Sequence, residues 1–200
     1  MKTLSFADRD TWLFARRGKI TGSRLKDIIV KRGTGRKIGF YELIAERLGV
    51  PADDENPMDR GTRLEEEAIE RFKKETGKKV DTSLVIWTRD DNESIAVSPD
   101  GFIGKKEAVE AKCLSSARHI EAWITKELPD EYRMQAIQYF IVNDKLTTLH
   151  VVFYDPRILA KDYFVIDVKR ADVKEEIDEY RTYEELVLRE VNDIVNQLTF

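Results

Sequence analysis

The stretch Ser98-Pro99-Asp100-Gly101-Phe102-Ile103-Gly104-Lys105-Lys106-Glu107-Ala108-Val109-Glu110-Ala111-Lys112-Cys113 holds the most informative chemistry of this 200-residue chain. Ser94-Ile95-Ala96-Val97 leads into it as a short extended run, and Ala108-Val109-Glu110-Ala111-Lys112 follows a turn rich in Gly and Lys. Side chains along a strand alternate faces, so Glu110 and Lys112 point one way and Ala111 the other. Asp100, just past the first run, reaches the same face across a hairpin. Two carboxylates and an ammonium on one patch suit divalent-metal chemistry. Carboxylate oxygens hold a hard cation such as Mg²⁺, and a lysine stabilises developing charge or orients a water. The plainer alternative is a surface hairpin with a solvated salt bridge.

The length fits one domain with a terminal helical extension. Cys113 is the one cysteine, which excludes an internal disulfide and a cysteine zinc cluster. His119 and His150 are too few and too far apart in sequence for a zinc site. No leader segment and no membrane-spanning apolar run is read, so a cytoplasmic protein is expected, in a bacterial or phage-infected host cell. Net charge is −4, against a general DNA-coating protein, yet residues 1–40 carry eleven Lys or Arg against three Asp. A basic N-terminal helical segment on an acidic body fits a nucleic-acid surface confined to one side. A solvated basic helix face fits equally well.

In chain order, a helix is expected from Asp10 to Arg17 and a second from Ser23 to about Val30, with Asp10 and Ser23 as N-caps. A helix N-terminus with a hydroxyl beside arginines suits a phosphate. Lys31 to Lys37 is a basic loop without Walker spacing. Phe40 to Leu48 is a helix ended by Gly49. Pro51 to Arg60 is an acidic loop, and Gly61 opens a helix to Thr76 with Leu64, Ala68 and Phe72 as its buried stripe. Glu65 flanks that stripe and can face a neighbouring sheet, whereas Glu66 and Glu67 are solvated. Strands are expected at Val80–Thr88, Ser94–Val97 and Ala108–Cys113, in one largely antiparallel segment. Helices follow at Ser115–Lys126 and Asp130–Val142, the second with Tyr132, Gln135 and Tyr139 on one face. Strands at Thr147–Tyr154 and Tyr163–Val168 precede an acidic C-terminal helix over about 171–197.

Ser98-Pro99-Asp100, Glu110-Ala111-Lys112 and Tyr132 to Tyr139 with Gln135 resemble the motifs of the PD-(D/E)xK nuclease superfamily. Trp12 through Ser23, the helix from Gly61 to Phe72, and Tyr154-Asp155-Pro156-Arg157 narrow the resemblance to the phage lambda exonuclease (viral recombinase) family, over about residues 10–168. The resemblance implies an α/β fold of the α+β mixed kind. Its restriction-endonuclease-like core is a central mixed β-sheet flanked by helices, in a single nuclease domain over residues 1–200. It implies a Mg²⁺-dependent exonuclease, with Mn²⁺ able to substitute, that digests one strand of linear duplex DNA from its 5′ end. The 3′ single-stranded tail left behind serves recombination by strand annealing. Asp100 and Glu110 would be metal ligands with the Ala111 carbonyl nearby, and Lys112 would position or activate the water. Glu65 would add an acidic group, and Gln135 would orient the nucleophile or the lysine. Arg16, Ser23 and Ser98 match positions that bind the terminal 5′-phosphate. Met58 matches an apolar residue that wedges between the strands at the duplex end; its alternative role is to anchor the acidic loop to the core. Partners would be duplex DNA ends, a single-strand annealing protein and two further copies in a ring-shaped homotrimer, with no membrane. Gln138, three residues beyond Gln135, and the acidic C-terminal helix take no role from the family. The rivals are a site-specific endonuclease or resolvase on the same fold, and a non-catalytic DNA-end-binding module.

Overall fold

The computed structural model describes Asp8, Thr11 and residues 37–51 and 57–199. Apart from Thr11, the helices expected at Asp10–Arg17 and Ser23–Val30, and all but the last residue of the basic loop, lie outside the described set. Helix α1 (Ile38–Arg47) starts two residues before its expected Phe40. Its C-terminus is closed by Gly49 at φ +74°, with Val50 N–H donating to Ala45 C=O at 3.0 Å and Gly49 N–H to Glu46 C=O at 3.0 Å. That paired closure needs a left-handed residue, which glycine adopts without a Cβ clash. Helix α2 (Pro57–Thr76) is longer than expected. The acidic loop ends earlier than its composition suggested, because Pro57 takes the first helical position, where its missing N–H costs nothing. Leu64, Ala68 and Phe72 are at most 1% exposed, as the four-residue spacing predicts.

The strand expected over Val80–Thr88 shrinks to β1 (Trp87–Arg89). Upstream, only Asp81 makes a bridge, to Phe102, and Leu84 and Ile86 are solvent-exposed. Strand propensity without a face to bury does not hold an extended segment in a sheet. β1 pairs antiparallel with β2 (Asn92–Val97) as a separate two-stranded sheet. The partner of β4 (Glu107–Lys112) is therefore not the Ser94–Val97 run but β3 (Gly101–Ile103), which the sequence reading had taken into a turn. Three residues with a glycine and no alternation give too weak a strand signal. The β3–β4 register pairs Gly101 with Val109 and Phe102 with Ala108.

α3 (Ser116–Thr125) is capped by Ser115, and α4 (Asp130–Val142) follows Pro129. β5 (Thr148–Tyr154) and β6 (Tyr163–Lys169) complete a four-stranded sheet of order β3-β4-β5-β6. Leu149 through Phe153 are all buried, as befits a strand covered on both faces. A 3₁₀ turn (Arg170–Val173) opens the acidic helix α5 (Lys174–Thr199), which begins slightly later than expected. The chain is thus of the expected class, a mixed sheet flanked by helices.

Packing divides the chain into two compact units, Met1–Leu64 with Cys113–Glu127 and Phe153–Phe164, and Glu65–Lys112 with Leu128–Val152 and Val165–Phe200. In the first, Tyr41 and Ala45 of α1 pack with Ala117 and Ile120 of α3 and with Val50 and Ile158. The second holds β1 to β4 and α4, with α4 packed on β1, β2 and α5. Gly101 sits in tight quarters there: a Cβ built on it would lie 2.5 Å from Val80 Cγ1. Gly101→Ala should cost about 1–3 kcal/mol through this overlap. Equilibrium denaturation measures it, and an unchanged midpoint would show that Val80 yields freely.

Candidate active site

β4 does what alternation demands. Glu110 and Lys112 share a face, and Lys112 Nζ donates to Glu110 Oε1 at 2.7 Å. The two side chains are 7% and 13% exposed, so this ion pair is shielded from water. The β3–β4 hairpin brings Asp100, the residue before β3, alongside the end of β4, and Asp100 Oδ2 accepts the Ala111 N–H at 2.7 Å. Asp100 therefore reaches this patch through β3, a different hairpin from the one expected.

From α4, Gln135 lies between the two charged groups of β4. Its Nε2 donates to Glu110 Oε1 at 2.7 Å, and its Oε1 accepts from Lys112 Nζ at 2.9 Å. Lys112 Nζ also stands 4.8 Å from the centre of the Tyr132 ring, one turn earlier on α4. Tyr139, one turn later, gives its hydroxyl proton to Glu110 Oε2 and lies 3.2 Å from the Ser98 carbonyl. Burial first, then the Glu110 charge, push the Tyr139 phenol well above its ordinary value, so it remains a donor. The sequence placed Tyr139 on this face without a role; its signal was the four-residue step from Gln135.

Glu65 projects from α2 toward the same carboxylates. Burial and then Glu110 raise its pKa, and it shares a hydrogen bond with Asp100. Burial and then Glu110 push the Asp100 carboxyl up to about 7. The cause is plain: Glu65, Asp100 and Glu110 gather beside the ammonium of Lys112. A site short of positive charge and lined by carboxylate oxygens suits a hard divalent cation. Among the described residues no three His, Cys, Asp or Glu side chains are arranged so that together they could hold a metal ion. The carboxylates that could hold such an ion are therefore the pair Asp100 and Glu110.

The remaining candidates separate. Ser98 sits between β2 and Asp100 with its side chain exposed. Arg16 and Ser23 lie outside the described residues. Met58 is in the first turn of α2, with its side chain outside the described set. Gln138 Nε2 reaches the Ala96 carbonyl at 3.5 Å, and Gln138 also bonds Glu184 of α5, so it ties α4 to β2 and α5. No helix among the described residues is long and apolar enough to cross a membrane.

A divalent cation here should stabilise the fold in a pH-dependent way. Asp100 titrates near 7 in the folded chain and has an ordinary value of 3.8, so folding favours its protonated form. The metal-free chain then loses stability as pH rises from about 4 through 7. Bound Mg²⁺ would offset that loss and would compete with the proton below it. The Mg²⁺-induced rise in melting temperature should be larger at about pH 8 than at about pH 5.5. A rise independent of pH would contradict this assignment.

The fold is a mixed sheet flanked by helices, with an Asp before one strand and Glu-x-Lys on the next. Residues 11–149 match the YqaJ-like viral recombinase domain, and the chain belongs to that family. It is similar to "Uncharacterized protein YqaJ" of Bacillus subtilis (strain 168), 29% identical over 135 residues, covering 66% of this chain and 41% of that protein. The chain thus spans about two fifths of the length of that curated relative. It is also similar to the crystal structure of LHK-Exo, an alkaline exonuclease from Laribacter hongkongensis, with a TM-score of 0.57 and 27% identity over 96% of this chain and 100% of that one. The structure of LHK-Exo in complex with dAMP gives a TM-score of 0.57 and 28% identity, again over 96% of this chain and all of the other. The expected membership of the phage lambda exonuclease (viral recombinase) family holds.

Proposed function

We propose that this chain is a metal-dependent exonuclease. It digests one strand of linear duplex DNA from the 5′ end and leaves a 3′ tail for strand annealing. The observation that carries the proposal is the convergence of Asp100, Glu110, Lys112 and Gln135 on one partly buried, acid-rich patch. Family membership supports it, and so does similarity to an alkaline exonuclease whose structure holds a deoxynucleoside monophosphate, the kind of product such an enzyme releases.

Asp100 and Glu110 would hold Mg²⁺, or Mn²⁺ in its place, beside the Ala111 carbonyl. Such an ion polarises a phosphoryl oxygen and makes water a better nucleophile at neutral pH. Lys112, held between Glu110 and Gln135, orients the attacking water and stabilises the charge that develops on the phosphate. Gln135 fixes both groups by donating to one and accepting from the other. Tyr139 holds the second oxygen of Glu110 and so sets the carboxylate plane. Glu65 adds negative charge to the metal side. Arg16, Ser23 and Ser98 would receive the terminal 5′-phosphate, and Met58 would wedge the duplex end apart. A homotrimer around the duplex and a single-strand annealing protein complete the proposed assembly.

Linear and covalently closed circular duplexes, incubated with Mg²⁺, test this reading. Digestion of the linear form alone is expected. Cutting of the closed circle would instead identify an endonuclease, and no cutting of either would leave a DNA-end-binding module.

A further inference from the structure

At the C-terminal end of α3, two ammonium groups converge on one indole. Lys126 Nζ lies 4.2 Å from the centre of the Trp123 ring and Lys161 Nζ 5.7 Å from it. Lys126 also faces Phe164, at 5.8 Å. Among the described residues neither lysine forms an ion pair, although Glu127 and Asp162 are their chain neighbours.

The arrangement is built in from beneath. Lys126 closes α3 at φ +59°, the one described non-glycine residue with a positive φ. Glycine is usual at such a helix end, and a side chain there carries a backbone cost. His119, 1% exposed, bonds the Lys161 carbonyl through Nε2 at 2.8 Å and packs edge-on against Phe164 at 4.8 Å. Phe164 is itself stacked on Phe153 at 4.7 Å. Lys161 is thus anchored through its backbone, leaving its ammonium for another partner.

We propose that Trp123, Lys126 and Lys161 form a platform for single-stranded DNA, built from residues other than those of the carboxylate site. The indole is partly exposed and the two ammoniums lie over its ring; a base that stacks there displaces them onto the phosphates of its own strand. Bases in a duplex are already stacked on each other, so an unpaired strand is the form that fits. The choice of DNA rests on the proposed nuclease function, whose product carries such a tail.

Binding of a fluorescent oligothymidylate to the full chain in EDTA tests the platform without turnover. Lys126→Gly is the informative variant, because it removes the ammonium while relieving the positive φ, so the melting temperature should hold or rise. It should weaken binding several-fold and reduce the slope of log K against log salt by about 0.7, as one lost phosphate contact does. Lys161→Gln should do the same. Trp123→Ala should weaken binding about fivefold or more, and Trp123→Phe should retain most of it. Unchanged affinity and salt slope in Lys126→Gly and Lys161→Gln would overturn the platform. So would an equal loss for an intact blunt duplex, which offers no free base. A chain that binds the oligonucleotide through these residues but digests nothing would overturn the nuclease function alone. One that digests DNA with oligonucleotide binding unaffected by these changes would overturn the platform alone.

Discussion

Replacing Lys112 by alanine should lower the rate of DNA digestion by at least about a hundredfold while leaving Mg²⁺ binding in place. Lys112 Nζ is fixed by Glu110 at 2.7 Å and by Gln135 at 2.9 Å, so its position does not depend on substrate. It brings positive charge to a patch that otherwise gathers acidic groups. Its removal takes away stabilisation of the charge developing on the phosphate. It does not take away a metal ligand. Asp100→Ala and Glu110→Ala should lose both digestion and Mg²⁺ affinity, measured by calorimetric titration beside single-turnover digestion. The contrast separates the roles. A Lys112→Ala variant with near-normal turnover would remove the lysine from the chemistry, and one that no longer binds Mg²⁺ would show that it holds the carboxylates in place.

The largest stability effect is expected at Asp155, which has no exposed surface. Its Oδ1 accepts from Arg157 Nε at 2.9 Å, and its Oδ2 accepts from Ser116 Oγ at 2.5 Å. Arg60 NH2 stands 3.1 Å from Oδ1, and Arg60 NH1 donates to the Leu114 carbonyl at 2.5 Å. Arg60 is itself buried, at 3% exposure. One carboxylate thus ties the start of α2, the start of α3 and the turn after β5 within a single packed unit. Burial alone pushes its pKa up, but the hydrogen bonds from Arg157 and Ser116 outweigh it and hold the value below 3.8. Asp155→Asn removes the charge and leaves the buried Arg60 and the partly buried Arg157 without it, at a cost of about 3–5 kcal/mol. For a chain of this size that is a fall of roughly 10 °C in melting temperature. The sign with pH follows: a depressed carboxylate contributes stability above its unfolded value and loses it as pH falls through the folded one. The wild-type advantage over Asp155→Asn should therefore persist at neutral pH and fade only below about pH 4. A variant of unchanged stability would mean that the ion cluster contributes nothing net.

In the sequence Tyr154-Asp155-Pro156-Arg157 reads as part of the family match, with nothing to show the ion pairs that it makes. Its partners Arg60 and Ser116 are 95 and 39 positions away in sequence, and no local period connects them. The carboxylate–lysine patch was more legible because strand alternation is local: Glu110 and Lys112 had to share a face whatever their partners. Which strand delivered Asp100 was not legible, since Gly101–Ile103 is short and its pairing is set by the turn after it. Gln135 and Tyr139 were correctly grouped by helical spacing, but the Tyr139 bond to Glu110 needed α4 to be laid against β4. The strand misread at Val80–Thr88 failed for the converse reason. Its residues have strand propensity, yet Leu84 and Ile86 find nothing to pack on. The cluster of His150 with Glu107 and Asp167, at 2.9 and 2.7 Å, shows no zinc spacing in the sequence because it is a hydrogen-bonded cluster assembled across three strands.

The most direct measurement follows the first nucleotide to leave a linear duplex labelled at its 5′-phosphate. With Mg²⁺ the label should appear at once as a mononucleotide, should stay in the duplex in EDTA, and should stay there with the Glu110→Ala chain. Label released in EDTA, or first release from a 3′-labelled end, would contradict a metal-dependent site that acts from the 5′ end.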